Sequence, residues 1–353
     1  MRIMQVMAGA ANGGAETAFE DLCLAFHEKG LNQKIVLRSS NRDRLKKLRS
    51  AGLDVETLPF GGALDIYTPW KLKKIIADYK PQIVQTWMSR AAIKTPASPE
   101  PKSYLKVSRL GGYYGMKYFR TTDYFVTNTG DIRTYLMDNG IAENRVCHIN
   151  NFADMEQPDQ QLNRKDLQTP ENACVVLCLA RYHQVKGLDV LIKAAAQVEN
   201  CHVWLAGEGP LEQELKALAL DLGVTERIHF LGWRNDRAAL LQAADICAVP
   251  SRFEPFGNSF AQAWAQKTPL VCSTADGPRQ YVKNGKDALV FEIDDVEGLR
   301  HAIQTLKDNP SLGEKLAEAG HMRFQDEFGR DQTVDAYLAF YRDILTREGI
   351  DFK

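Results

Sequence analysis

The stretch ICAVPSRFEPFGNSFAQAWAQKTPLVCST, residues 246–274, decides the fold. An apolar run over residues 246–250 stops at a proline. A turn follows, a helical pattern opens at Gly257, and a second apolar run over residues 270–273 closes the unit. A strand, helix and strand packed so closely form a crossover, the connection that parallel strands require. The same alternation runs outward in both directions. Upstream in the second half the strand candidates are residues 174–179, 202–206 and 228–231; downstream is 288–293, and from Val296 the spacing is helical. In the first half they are residues 3–7, 34–38, 55–60, 82–87, 105–110, 124–128 and 146–150. Two doubly wound α/β domains follow. Residues 152–173 are polar, carry two prolines and keep neither period, which marks a linker.

A chain of 353 residues, 44% hydrophobic, can bury two cores. Its 44 basic and 45 acidic residues give a net charge of −1, which excludes a protein dominated by nucleic-acid electrostatics and a disordered acidic chain. The opening MRIMQVMAGAANGG is too short an apolar run for a signal peptide, and no later stretch approaches about 18 uncharged apolar residues. The expectation is a cytoplasmic protein. Seven cysteines without CxxC spacing read as reduced core thiols rather than zinc ligands or disulfides.

The charge is uneven. Residues 1–150 hold 22 Lys and Arg against 14 Asp and Glu, while the remainder holds 22 against 31. The basic residues gather at RDRLKKLR (42–49), at KLKK (71–74), and along Lys94, Lys102, Lys106, Arg109, Lys117 and Arg120. This asymmetry predicts that the first half meets something anionic, a membrane surface or a phosphorylated acceptor.

Several strand-to-helix turns carry groups suited to a nucleotide. GAANGGAE (9–16) brings Gly13 and Gly14 to a turn where backbone can approach a ligand, but it lacks the GxGxxG spacing of a dinucleotide site. In LARYHQVKG, Arg181 and Lys186 follow a strand and are placed to hold a diphosphate, the first as a fork and the second as a point charge. Gly207 and Gly209 in GEGP, and Leu231 in HFLG, are wall positions or ordinary turns. In FEPFGNSFAQ, Glu254 can accept hydrogen bonds from sugar hydroxyls; Phe256, Gly257, Asn258 and Ser259 form a helix start whose N–H groups suit phosphate; Gln262 lies eight residues after Glu254.

Taken in order, GGAE, ARYHQVKG, GEGP, HFLG and PSRFEPFGNSFAQAWA resemble the motif set of glycosyltransferase family 4, retaining group 1 enzymes of the bacterial-envelope type with the GT-B fold. The resemblance implies two Rossmann-like domains facing a central cleft. An N-terminal acceptor domain would span residues 1–155, a linker 156–172, and a C-terminal donor domain 173–330, with a last helix over about 331–353 crossing back. It implies a nucleotide-sugar donor as substrate, no cofactor, no metal, and no nucleic-acid partner. The acceptor would be a glycan or glycolipid in lipopolysaccharide or other envelope polysaccharide synthesis, at the inner face of the cytoplasmic membrane. Arg181 and Lys186 would neutralise the donor diphosphate, Glu254 would bind the sugar, and Gly13 and Gly14 would lie near the donor phosphate.

The sequence departs from the family at Gln262, where a second Glu is common, at Ala180, and at Gln280. A His usual after the fourth strand is missing from QTWMSRAA, which offers Trp87 and Arg90 as acceptor-side candidates. Two rival readings are a GT-B sugar-nucleotide epimerase, which needs an acid and a base around the sugar, and a noncatalytic nucleotide-sugar sensor.

Overall fold

The computed structural model describes residues 1–11, 13–39, 42–153, 157–158 and 161–352. The chain divides into two compact units, Met1–Asn151 with Arg330–Lys353, and Phe152–Gly329.

Unit 1 holds β1 (Arg2–Met7), α1 (Gly14–Glu28), β2 (Asn32–Leu37), α2 (Arg42–Ser50), β3 (Asp54–Thr57), α3 (Tyr67–Tyr79), β4 (Ile83–Trp87), α4 (Met88–Lys94), β5 (Leu105–Leu110), β6 (Tyr124–Thr127), α5 (Gly130–Asp138) and β7 (Val146–His148). Its seven-stranded sheet has the order β3-β2-β1-β4-β5-β6-β7, and its pairings are parallel. Unit 2 holds β8 (Cys174–Leu179), α6 (Leu188–Ala196), β9 (Cys201–Ala206), α7 (Glu212–Asp221), β10 (Ile228–Gly232), α8 (Arg237–Ala243), β11 (Ile246–Val249), α9 (Asn258–Ala265), β12 (Leu270–Ser273), α10 (Asp276–Tyr281), β13 (Leu289–Phe291), α11 (Val296–Asp308) and α12 (Pro310–Glu327). Its sheet runs β10-β9-β8-β11-β12-β13. The final helix, α13 (Arg330–Arg347), packs on unit 1, where Tyr337 meets Phe26 edge-on at 5.8 Å and Arg330 pairs with Glu28 at 2.8 Å.

Both sheets are covered on both sides, so their central strands are buried on both faces: β8 is an apolar run buried at all but its last position, and β5 is buried at every position although it carries Lys106, Ser108 and Arg109. In each sheet the strand order reverses once, between β1 and β4 in unit 1 and between β8 and β11 in unit 2. Beyond the carboxyl ends at such a reversal the connecting loops diverge, leaving room for a ligand.

Two expectations need correction. Residues 161–173 belong to unit 2 rather than to a free linker. A 3-10 turn, Arg164–Leu167, is held there by Arg164, which bonds to the Ala243 carbonyl at 2.9 Å and pairs with Asp245 at 2.8 Å, while Leu162 and Leu167 pack on the unit's core. Of the expected linker, Glu156, Asp159 and Gln160 lie outside the described residues, as do Asp154 and Met155. The second correction concerns the basic clusters. Arg44, Lys94, Lys106 and Arg109 are buried and serve the interior of unit 1. The Lys106 ammonium is held by the carbonyls of Ala92 and Thr95 and by Thr121, and burial pulls its pKa down to about 8. Lys102 pairs with Glu348 at 3.1 Å and Lys47 with Glu20 at 2.7 Å. Part of the positive charge of the first half is therefore enclosed, and Lys102 is met by an acid from outside it.

Candidate active site

The reversal in unit 2 lies between the loop after β8 and the loop after β11. The first carries Arg181 and Lys186, the second Glu254, so topology brings together residues almost seventy positions apart. A 3-10 turn, Gln184–Lys186, capped by the His183 side chain on Val185 N–H, sets the direction of Lys186. The turn ends at Gly187, φ +62°, where a Cβ would stand 2.0 Å from the Pro250 carbonyl oxygen, so glycine alone fits this crossing of the two loops. The second loop is stitched to the first: the N–H groups of Arg252 and Phe253 both donate to the Val185 carbonyl, at 2.8 and 3.2 Å.

Within that frame the Lys186 ammonium donates to Glu254 Oε2, and both side chains are only partly exposed. Ser251 adds a hydroxyl donor to the same oxygen at 3.3 Å. The Glu254 carbonyl accepts from Gly277 N–H at 2.7 Å, tying the loop to the start of α10. Immediately beyond, Gly257 (φ +96°) caps α9 without a side-chain bond, so that the positive end of the helix begins next to this loop. A cation, a carboxylate and a helix N-terminus thus converge on one corner of unit 2.

The remaining predicted residues fall into separate groups. Arg181 is exposed on the first turn after β8, and Gln262 is half-buried on α9. Gly207 and Gly209 let their turn press against this loop: a Cβ on Gly207 would lie 1.9 Å from the Ala180 carbonyl oxygen, and one on Gly209 2.4 Å from that of Tyr182. Leu231 is partly buried near the end of β10. Ser259 gives its hydroxyl to the Leu179 carbonyl at 2.9 Å, so its contribution to an anion is its N–H. Phe256 is buried in an aromatic cluster with Phe260, Tyr281 and Phe328, which places its backbone, not its ring, at the loop.

In unit 1 the glycine loop is built around Glu16. Its carboxylate accepts from Ala10 N–H at 2.8 Å, and a Cβ on Gly13 would stand 2.3 Å from it. Arg44 holds the same loop from the other side by bonding to the Ala11 carbonyl at 2.8 Å. Trp87 is removed from the acceptor-side candidates. It is buried, gives its indole N–H to Gln5 at 2.9 Å, and lies under the Arg109 guanidinium at 4.6 Å. Arg90, three residues on, is exposed on α4.

Sequence reading missed Arg252. It forks onto Asp189 with two bonds of 2.8 Å, and reaches Asp294 at 2.6 Å and the Gln184 carbonyl at 2.7 Å. It thereby clamps the Glu254 loop to the Lys186 turn. Among the described residues no group of three or more His, Cys, Asp or Glu side chains is arranged to hold a metal ion, and no helix is long and apolar enough to cross a membrane.

The comparisons with known proteins decide the family. The model of the Glycosyl transferases group 1 family matches residues 159–323, the span that contains Arg181, Lys186 and Glu254. The lipopolysaccharide core biosynthesis glycosyltransferase LpsE of Rhizobium meliloti (strain 1021) is 35% identical over 329 residues, 93% of this chain and 95% of that protein. This chain belongs to the group 1 glycosyltransferases. LpsD of the same strain, also a lipopolysaccharide core biosynthesis glycosyltransferase, is 31% identical over 97% of this chain and 98% of its own length. The structure of Anabaena Alr3699/HepE in complex with UDP and glucose superposes with a TM-score of 0.83 at 20% identity, covering 97% of this chain and all of the other. The fold is GT-B, as the sequence predicted, and the protein is a glycosyltransferase.

Proposed function

We propose that this glycosyltransferase moves a sugar from a nucleoside-diphosphate donor, a UDP-sugar first, to a hydroxyl of a lipopolysaccharide core glycolipid, with retention at the anomeric carbon. The observation that carries the reading is the Lys186–Glu254 pair beside the N-terminus of α9 at the strand reversal of unit 2. The UDP complex of the structural relative and the names of the two sequence relatives support the choice of donor and acceptor.

In the proposed reaction the bond between the anomeric carbon and the diphosphate oxygen breaks, and its electron pair stays on the diphosphate. Lys186 and Arg181 neutralise that charge, with the N–H groups of Asn258 and Ser259 as further donors. Glu254 accepts hydrogen bonds from the sugar hydroxyls, while the amide of Gln262 bonds the ribose diol without bringing a charge. The acceptor oxygen bonds to the anomeric carbon from the face the diphosphate leaves, and its proton passes to a departing phosphate oxygen. Unit 1 holds the acceptor, with Arg90 and the Gly13–Gly14 turn on its side of the reaction. The acceptor's lipid places the enzyme at the inner face of the cytoplasmic membrane, where it is peripheral.

A thermal-shift series with UDP- and GDP-sugars tests donor binding, since a ligand of the folded state raises its melting temperature. The expected result is stabilisation by a UDP-sugar that Lys186→Ala removes. Transfer to delipidated core oligosaccharide, followed by NMR of the new anomeric proton, tests the stereochemistry. Stabilisation by no nucleotide sugar, or a product of inverted configuration, overturns the corresponding part of the proposal.

A further inference from the structure

The loop between β3 and α3, together with the first turn of α3, presents apolar side chains to solvent in a way that fraying does not explain. Leu64 is 95% exposed, Ile66 83%, Trp70 61% and Tyr67 50%. The backbone that carries them is firmly held. Phe60 is anchored in the core, and the Asp65 carboxylate folds inward to accept from the N–H groups of Gly61 and Thr68 at 2.7 and 2.9 Å. Lys94, from α4, reaches under the loop and donates to the carbonyls of Gly62 and Asp65 at 2.8 and 2.7 Å. Asp65 and Thr68 thus turn toward the protein, while Leu64, Ile66 and Tyr67 are left outside.

The pattern continues along α3. Its inner face is Thr68, Leu72, Ile75 and Ile76, all buried. Its outer face begins with Tyr67 and Trp70, whose rings lie 5.9 Å apart, and passes at helical spacing to Lys74, with exposed Lys73 on its flank. Isolated exposed apolar residues are ordinary, but four in seven positions across a hydrogen-bonded loop and the helix turn that follows it mark an interaction surface. Aromatic rings followed by lysines suit the boundary between acyl chains and anionic headgroups. The loop follows the carboxyl end of β3, so it shares the sheet edge on which the β1 and β4 loops of unit 1 open.

We infer that Leu64, Ile66, Tyr67 and Trp70, with Lys73 and Lys74, form the seat on which this protein rests on an anionic lipid bilayer, placing unit 1 against the membrane that carries its acceptor. The inference deepens the reading of a glycolipid acceptor and rests on it. It also relocates the membrane contact, because the buried cations Arg44, Lys94, Lys106 and Arg109 cannot reach a headgroup.

Cosedimentation of the full chain with phosphatidylglycerol-containing vesicles, against pure phosphatidylcholine vesicles, tests it. The wild type should bind the anionic vesicles, and Leu64→Ser with Ile66→Ser should weaken binding at least about tenfold. Lys73→Gln and Lys74→Gln should each cost up to about fivefold, an effect that fades as salt rises. Brominated lipid should quench fluorescence that Trp70→Phe removes. The UDP-sugar thermal shift should be the same in all these variants, and so should transfer to delipidated acceptor. Wild-type binding that ignores these substitutions overturns the assignment of the surface. Failure of the wild type to bind any vesicle overturns the membrane seat, and Trp70 quenched by core oligosaccharide instead would make the patch a sugar platform. If UDP-sugar stabilisation is absent while vesicles bind, the donor reading fails and the seat stands.

Discussion

The two strand reversals of this molecule have the same topology and opposite uses of charge. At the β8/β11 reversal of unit 2 the loops are fixed by backbone contacts, by glycines pressed against carbonyls and by the Arg252 clamp, and the Lys186–Glu254 pair remains partly open to solvent. At the β1/β4 reversal of unit 1 the charged side chains themselves build the loops. Glu16 lies against Gly9, Ala10 and Gly13, Arg44 holds the Ala10 and Ala11 carbonyls, and Arg109 is enclosed between Trp87 and α13. A charge can act on a ligand only where something else maintains its loop. On the proposed reading the anion chemistry belongs to unit 2, while Glu16, Arg44 and Arg109 of unit 1 do structural work.

The sharpest way to break that assignment is Lys186→Ala. Removing one preorganised donor to the leaving group should lower turnover by about 100- to 1,000-fold, read as UDP release in the presence of acceptor. Loss of the Lys186 charge also leaves Glu254 without its ionic partner, so Lys186→Ala with Glu254→Gln should fold more stably than Lys186→Ala alone. Turnover near the wild-type value in Lys186→Ala would move the chemistry elsewhere.

The complementary change in unit 1 is Arg109→Leu. The guanidinium lies 4.6 Å over Trp87 and bonds to Asn151 and Tyr337, the first at the point where the chain leaves unit 1 and the second on the helix with which it returns. Its loss should reduce the stability of unit 1 by about 3 kcal/mol in urea unfolding, through the cavity and the polar partners left behind. The UDP-sugar thermal shift should be retained. A variant of normal stability that fails to bind donor would reverse the roles given to the two reversals.

Between these lies Arg252→Ala. Arg252 touches neither pair member directly but holds the loop that carries Glu254, so it is a positioning residue. Turnover should fall about tenfold, with Arg252→Lys recovering part of it, since the fork onto Asp189 is lost but a single charge contact remains. The pH dependence of kcat should keep its shape in both variants, which separates loosened geometry from a lost ionisable group.

How far the sequence spoke differs between the same regions. The alternation of apolar runs located the strands because most are short, apolar and bounded by turns; residues 174–179 and 270–273 agree to the residue. The third run was read as 55–60, but the ladder ends at Thr57 because Pro59 has no N–H to give and Phe60 turns to φ +44°. Lys186 and Glu254 were legible because a strand end followed by a turn fixes where such residues sit. Arg252 was not, since its partners Asp189 and Asp294 stand 63 and 42 residues away and only the folded loops bring them together. Nor was the enclosure of Lys106 and Arg109 legible. In a strand covered on both faces no alternation distinguishes a lysine that reaches inward carbonyls from one that faces water. The charge count of the first half overstates its exposed positive charge for that reason, whereas exposed Trp70 beside KLKK is informative only once the burial of its neighbours is known.

The smallest expected effect is a difference in acid sensitivity. In unit 2 the rings of His202 and His229 stack at 5.3 Å, with Nδ1 of the first 3.0 Å from Nε2 of the second. Burial first, and then the neighbouring His202, push the His229 pKa down from 6.5 to about 4. The unfolded chain therefore takes up this proton at higher pH than the folded one, and unit 2 loses stability as pH falls from 6.5 toward 4, after which the loss levels off. The full shift would exceed the real effect because His229 is half-exposed; screening by solvent leaves about 1 kcal/mol. Trp204 reports it, since its indole donates to Thr169 at 2.9 Å and the same hydroxyl lies 3.5 Å from His229. Urea unfolding followed by tryptophan fluorescence at pH 7 and pH 4.5 should show the loss in the wild type and a smaller one in His229→Asn. An equal loss in both would assign the acid sensitivity to other groups, among them His148 in unit 1, whose pKa burial also lowers.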